Sequence, residues 1–122
     1  MKDKKIYFVS ILTGSFFLFS SFISFAQNIE DIKLLLKSGK YARAEILTNN
    51  SIEDDLNNPE LLFYKGIIET NMNKNNQAID TFRDLTERFP ELPEPFNNLA
   101  VLYAEKGQYD LAKEILEQAI KT

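Results

Sequence analysis

The feature that most constrains this chain is an internal repeat. The run Lys37-Ser38-Gly39-Lys40-Tyr41-Ala42-Arg43-Ala44 returns as Glu105-Lys106-Gly107-Gln108-Tyr109-Asp110-Leu111-Ala112. Gly39 and Gly107, Tyr41 and Tyr109, and Ala44 and Ala112 are each 68 positions apart, twice a period of 34. Ala78 sits halfway between the two alanines, Pro59-Glu60 returns as Pro93-Glu94, Gly66 aligns with Ala100, and Phe82 with Leu116. So many agreements in one register point to a stack of similar units, each burying its apolar face against its neighbour.

Within the period the apolar residues recur at three and four, the spacing of a helix face. Ala78, Ile79, Phe82 and Leu85 make one such face, and Ala112, Ile115, Leu116, Ala119 and Ile120 another. Leu62, Gly66 and Ile67 pair with Leu99, Ala100, Leu102 and Tyr103 one repeat later. Turns fall at Ser38-Gly39-Lys40, Asn73-Lys74-Asn75 and Lys106-Gly107-Gln108, where Gly and Asn tolerate the left-handed backbone that ends a helix. Pro59 and Pro93 suit the first helical turn, where a missing N–H costs nothing. Pro90 marks the end of the helix before it. The sequence predicts helices near 28–37, 41–50, 59–72, 75–88, 93–106 and 109–121, with 51–58 as an acidic connector and no strand. The small residues have a packing reason: Gly66 facing Ala78, and Ala100 facing Ala112, would let paired helices approach closely.

On these residues the chain resembles the tetratricopeptide repeat, a helix-turn-helix unit of the same period. The likeness covers residues 27–122, with repeats at about 27–58, 59–92 and 93–122. It is carried in the third repeat by Phe96, Leu99, Ala100, Tyr103, Gly107, Tyr109, Ala112, Leu116 and Ala119. The second keeps Leu62, Gly66, Ala78, Phe82 and Pro90 but departs at Lys65 and Glu69, where the family has an apolar residue and an aromatic. The first keeps Leu35, Gly39, Tyr41 and Ala44, while Thr48 and Ser51 replace larger residues, so it is expected to pack most loosely. The segment 89–119 is especially similar to exported repeat proteins of Gram-negative bacteria. The resemblance implies an all-α, right-handed α-solenoid of three repeats.

Before the repeats lies a different kind of segment. Lys2, Lys4 and Lys5 precede the apolar stretch from Ile6 to Ile23, which ends in Ser24-Phe25-Ala26, and six of the ten Phe fall in these 26 residues. A basic start, an apolar run and a small-x-small end are the marks of a secretory signal peptide, here residues 1–26, cleaved after Ala26. The alternative is an uncleaved inner-membrane anchor. Against it, the apolar run is just short of the roughly 20 residues that span a bilayer, and it is rich in Ser. Without Cys there is no thiol for a lipoprotein lipid. The expected location is the periplasm or outside the cell, and a membrane is involved only if the segment stays attached.

Composition narrows the chemistry. The 122 residues include no Cys and no His, which removes thiolate nucleophiles, imidazole bases, disulfides and ordinary zinc or haem sites. Residues 1–26 hold three of the 14 basic residues and one of the 18 acidic ones, leaving 11 against 17 from residue 27 onward. Such an acidic domain repels phosphate backbones, so nucleic acid is not an expected partner. The run Glu53-Asp54-Asp55 has neither the spacing nor the glycine of a calcium loop. Glu91 and Glu94 lack neighbours to tune them for acid–base work, and no glycine-rich phosphate loop exists among four glycines. Neither metal, cofactor nor catalysis is expected.

In the family, the first helix of each pair lines a concave groove that takes an extended peptide or a helix. Carried over, the resemblance implies a groove presenting Lys33 from the first repeat, with Glu60, Phe63, Tyr64, Ile67 and Asn71 from the second. The third repeat would add Glu94, Asn97, Asn98, Val101 and Glu105. A carboxamide such as Asn98 both donates to and accepts from a peptide unit, and Phe63, Tyr64 and Ile67 would make an apolar anchor. The alternatives are a merely polar face at Asn97-Asn98 and packing of the aromatic group against the first repeat. The family's carboxylate clamp does not fit, because Glu94 stands where a base is wanted. The expected function is a non-catalytic scaffold of the cell envelope that binds protein partners. A second reading is self-association, or assembly into a larger envelope complex, through Ile115, Leu116 and Ile120 of the last helix, which has no successor to cover it.

Overall fold

The structure, a computed structural model, describes residue 24 and residues 26–121. The segment read as a signal peptide lies, except for Ser24 and Ala26, outside the described residues. Among the described residues six helices follow one another: α1 over 26–37, then α2 (Tyr41–Asp54), α3 (Pro59–Asn71), α4 (Asn75–Arg88), α5 (Pro93–Glu105) and α6 (Tyr109–Lys121). Among the described residues there is no strand, and no helix is long and apolar enough to cross a membrane. Hairpin partners α3·α4 and α5·α6 pack together, and α2·α3 and α4·α5 join one repeat to the next, as a helical-repeat solenoid requires.

The period is visible in the backbone itself. Gly39, Asn73 and Gly107, spaced by one period, take φ of 68°, 59° and 76°. After each, the next amide reaches back five residues: Lys40 N–H to the Leu35 carbonyl at 2.9 Å, Lys74 to Glu69 at 2.8 Å, and Gln108 to Tyr103 at 2.9 Å. This left-handed closure satisfies carbonyls that the helix end would otherwise orphan. Pro59 and Pro93 stand at the first positions of α3 and α5.

Two expectations need correction. Helix α2 does not stop at residue 50 but runs to Asp54, so the connector shrinks to residues 55–58. Ser51, a residue type that suggests a loop, is buried and donates its hydroxyl to the Leu47 carbonyl at 2.8 Å, while Ile52 packs onto the core. The second correction concerns Gly66. The atoms nearest to a Cβ added there belong not to Ala78 but to the Phe82 ring, at 2.6 Å. The glycine makes room for an aromatic on the opposing helix. The register sets Ile32 with Thr48 in the first repeat and Ala100 with Leu116 in the third, so bulk on one helix is matched by its absence on the other.

Two apolar clusters result. The larger joins the second and third repeats through Ala78, Ile79, Phe82, Leu85, Leu99, Ala100, Leu102, Tyr103 and Ala112. The smaller joins the first and second through Ile29, Ile32, Ala44, Leu61 and Ile68. Around the smaller one polar groups are buried: Thr48, Ser51 and Glu69. Thr81 donates its hydroxyl to Glu69 Oε2 at 2.7 Å, and Lys65 Nζ lies 4.0 Å from Oε1. Thr48 Oγ1 is buried with no hydrogen-bond partner.

Candidate functional site

An open depression of about 300 Å³ lies between the N-terminal parts of α3 and α5. It is lined by Pro59, Glu60, Phe63 and Tyr64 from α3, by Leu92 at the entry to α5, and by Glu94 and Pro95. The structure thus brings together four of the residues assigned to the groove: Glu60, Phe63, Tyr64 and Glu94. The Phe63 ring is fixed edge-on against two others, Tyr64 and Phe82, with centroids 5.9 Å away in each case. The floor is therefore apolar and held in place by the packing beneath it.

The mouth is charged. Lys33 of α1 donates to Glu30 Oε1 at 2.9 Å and lies 3.6 Å from Glu60 Oε1, linking the first repeat to the second. The Glu30 hydrogen bond pushes the Lys33 ammonium above its ordinary value. Burial pushes the Tyr64 hydroxyl up, with the Lys33 charge opposing. Neither group therefore changes charge near neutrality. No ion pair is formed by Glu94 among the described residues.

The two helices that frame the depression begin differently. Asn58 Oδ1 accepts from the Glu60 and Leu61 amides at 3.0 and 3.1 Å and caps α3. Leu92, one period on, stands at the same place before α5 and offers no side-chain cap. Leu92, Pro59 and Pro95 are lining residues that sequence reasoning missed. The signal for Leu92 was present, since an apolar residue where the preceding repeat has Asn is conspicuous once the repeats are aligned.

The other assigned residues lie outside the depression. Ile67 is half-buried against the larger apolar cluster. Asn71 Nδ2 donates to the Ile67 carbonyl at 2.8 Å, and Asn98 Nδ2 to the Glu94 carbonyl at 2.9 Å, each bonding its own helix. Asn97 and Glu105 are exposed, and Val101 is 57% exposed. On the last helix Ile115 is half-buried, Leu116 is 42% exposed and Ile120 is 85% exposed.

A second depression, of about 370 Å³, lies among α4, α5 and the start of α6. Its two cations are already engaged: Arg83 Nη2 donates to the Tyr103 hydroxyl at 2.7 Å, and Lys106 Nζ to Asn76 Oδ1 at 2.8 Å. Both cations of this depression are thus held by its own lining residues, whereas between α3 and α5 Glu94 has no ion-pair partner among the described residues. Among the described residues no group of three or more acidic side chains is placed to hold a metal ion.

Comparison with known proteins bears on the same residues. Two segments, 60–91 and 93–122, match sequence models of the tetratricopeptide repeat and together make just over half of the chain. No curated protein sequence matches it. Among solved structures it is similar to SycD, a type III secretion translocator chaperone of Yersinia enterocolitica. The TM-score is 0.73 at 19% identity, covering 78% of this chain and 72% of SycD. SycD in complex with a peptide of the translocator YopD is equally similar, at TM-score 0.73 and 19% identity over 79% of this chain and 73% of that one. MamA of AMB-1 matches at TM-score 0.63 and 22% identity over 71% of this chain, which spans just under half, 48%, of MamA. At these identities the likeness is one of fold.

Proposed function

Because the chain belongs to the tetratricopeptide-repeat family, we propose that it is a non-catalytic scaffold that holds an extended segment or helix of a partner protein against its first helices. The observation that carries this reading is the outward-facing depression between α3 and α5, with a rigid aromatic floor and charged mouth. Anchors of this kind, pre-ordered rings in a pocket with polar groups at the rim, concentrate binding energy at little entropic cost. That SycD has been seen with a peptide of YopD supports the choice of a peptide ligand. The place of action we assign to the cell envelope, on the basic, apolar and small-residue order of residues 1–26.

Expression of the tagged full chain in a Gram-negative host tests both parts. The expected outcome is an envelope-fraction protein whose mass places its N-terminus at Gln27, and which captures a partner lost from a Tyr64→Ala/Glu94→Arg bait. An uncleaved mass would favour the inner-membrane anchor, and identical captures from both baits would remove the groove reading.

A second reading, assembly through α6, rests on a specific observation. Leu116 and Ile120 are 42% and 85% exposed, while Phe82 and Thr86, one period earlier, are buried by α4's neighbours. If this face joins copies, light scattering will give a multimer that Ile120→Glu returns to a monomer. A monomer before substitution would end that reading.

A further inference from the structure

We propose that the depression between α3 and α5 selects a partner segment in which an apolar side chain stands beside a lysine or arginine. The inference rests on the groove-binding reading above and adds the chemistry of what enters.

Leu92 is the first argument. At the corresponding place, Asn58 satisfies two backbone amides of α3. In α5 the corresponding positions are Glu94 and Pro95, and since proline has no N–H a capping residue would have the Glu94 amide alone to satisfy; the position holds Leu, which lines the depression instead. With Phe63, Tyr64 and Pro59 it forms a surface suited to an aliphatic or aromatic side chain. Phe63 is held by its two ring contacts, so the surface needs no rearrangement on binding.

Charge is the second. Glu60 and Glu94, one period apart, stand in the first turns of α3 and α5 and both line the mouth. A helix start favours an acidic residue for its own sake, which accounts for each glutamate singly but not for Leu92 between them. Lys33 is shared by Glu60 and Glu30, at 3.6 and 2.9 Å, and Glu94 has no cation among the described residues. A lysine or arginine whose stem crosses the apolar floor would reach Glu94 with its head, as long basic side chains do over apolar surfaces. An acidic segment would meet two like charges.

The test uses the full chain and two short fluorescein-labelled peptides, one alternating Leu with Lys and the other Leu with Glu, read by anisotropy at low salt. The Leu–Lys probe is expected to bind, and the Leu–Glu probe is not. Leu92→Asn should weaken the Leu–Lys probe about tenfold, the loss of part of a buried Leu contact, while raising the melting temperature by roughly 2 °C through a single cap bond to the Glu94 amide. Glu94→Gln should weaken it severalfold without lowering the melting temperature. A merely structural Leu92 would move melting and leave binding alone. Equal binding of both probes, lost in Tyr64→Ala, overturns the cation preference and leaves the groove standing. Binding that survives Leu92→Asn, Glu94→Gln and Tyr64→Ala together, or no binding of either probe, overturns the proposal, and in the first case the groove with it.

Discussion

The junction between the second and third repeats and the junction between the first and second use the same positions for different chemistry. Phe82, Leu85 and Tyr103 fill the former; Thr48, Ser51 and Glu69, each one period earlier, occupy the latter. All six are buried. The repeat therefore fixes which positions are inside without fixing whether they are apolar. Where polar groups replace apolar ones, each needs a partner. Ser51 has the Leu47 carbonyl and Glu69 has Thr81, while Thr48 has none. The backbone pattern survives such exchanges because the turns at Gly39, Asn73 and Gly107 set it independently of the core.

The widest separation between the junctions should come from truncation. Phe82→Ala is expected to cost about 3–5 kcal/mol, the usual loss for a buried aromatic. Its counterpart Thr48→Val should gain about 1 kcal/mol by removing an unpaired buried hydroxyl at constant shape. Thermal unfolding followed by circular dichroism measures both, and equal effects at the two sites would break the comparison.

Next in size is the close contact inside the second repeat. Gly66→Ala is expected to lose about 1–3 kcal/mol, since its new methyl runs into the Phe82 ring. The double variant Gly66→Ala/Phe82→Leu reproduces the Ala100–Leu116 pair of the third repeat. In a double-mutant cycle it should cost less than the sum of its parts, and strict additivity would show that the two residues do not share the space.

The smallest effect concerns pH. Burial pushes the Glu69 carboxyl above its ordinary value of 4.5; Thr81, Lys65 and Lys74 oppose the shift and Glu45 reinforces it. Folding then takes up protons in the window above 4.5, so this group's contribution to stability is greatest at low pH and falls as pH rises through that window. Glu69→Gln keeps an acceptor for Thr81 and cannot ionise. Its melting temperature relative to the parent should climb as pH is raised from below 4.5 toward neutrality, and a constant difference would mean that the carboxyl is not shifted.

Much of this was legible in the sequence because its strongest signals are local. Gly39, Asn73 and Gly107 close their turns with their own φ angles, and Pro59 and Pro93 start their helices, so the observed boundaries fall within a residue or two for every helix but α2. What escaped was decided by contacts distant in sequence. Whether Ser51 ends a helix depends on burial against a later repeat, and what Gly66 makes room for depends on the far side of its hairpin. In the candidate site, Glu60, Phe63, Tyr64 and Glu94 were readable from their places on the first helices. Leu92 was missed although its signal was there, because it shows only when the repeats are aligned and Leu92 is set beside Asn58.

The exchange of bulk between Gly66 and Phe82 is settled within a single hairpin. A repeat is thus an indivisible unit of shape: its two helices are fitted to one another and not to a common standard. Chimaeras spliced at the connectors, residues 55–58 or 89–92, would carry fitted pairs intact. Splices at the tight turns, which look more inviting because the chain is shortest there, would set a glycine opposite a threonine or an isoleucine opposite a phenylalanine.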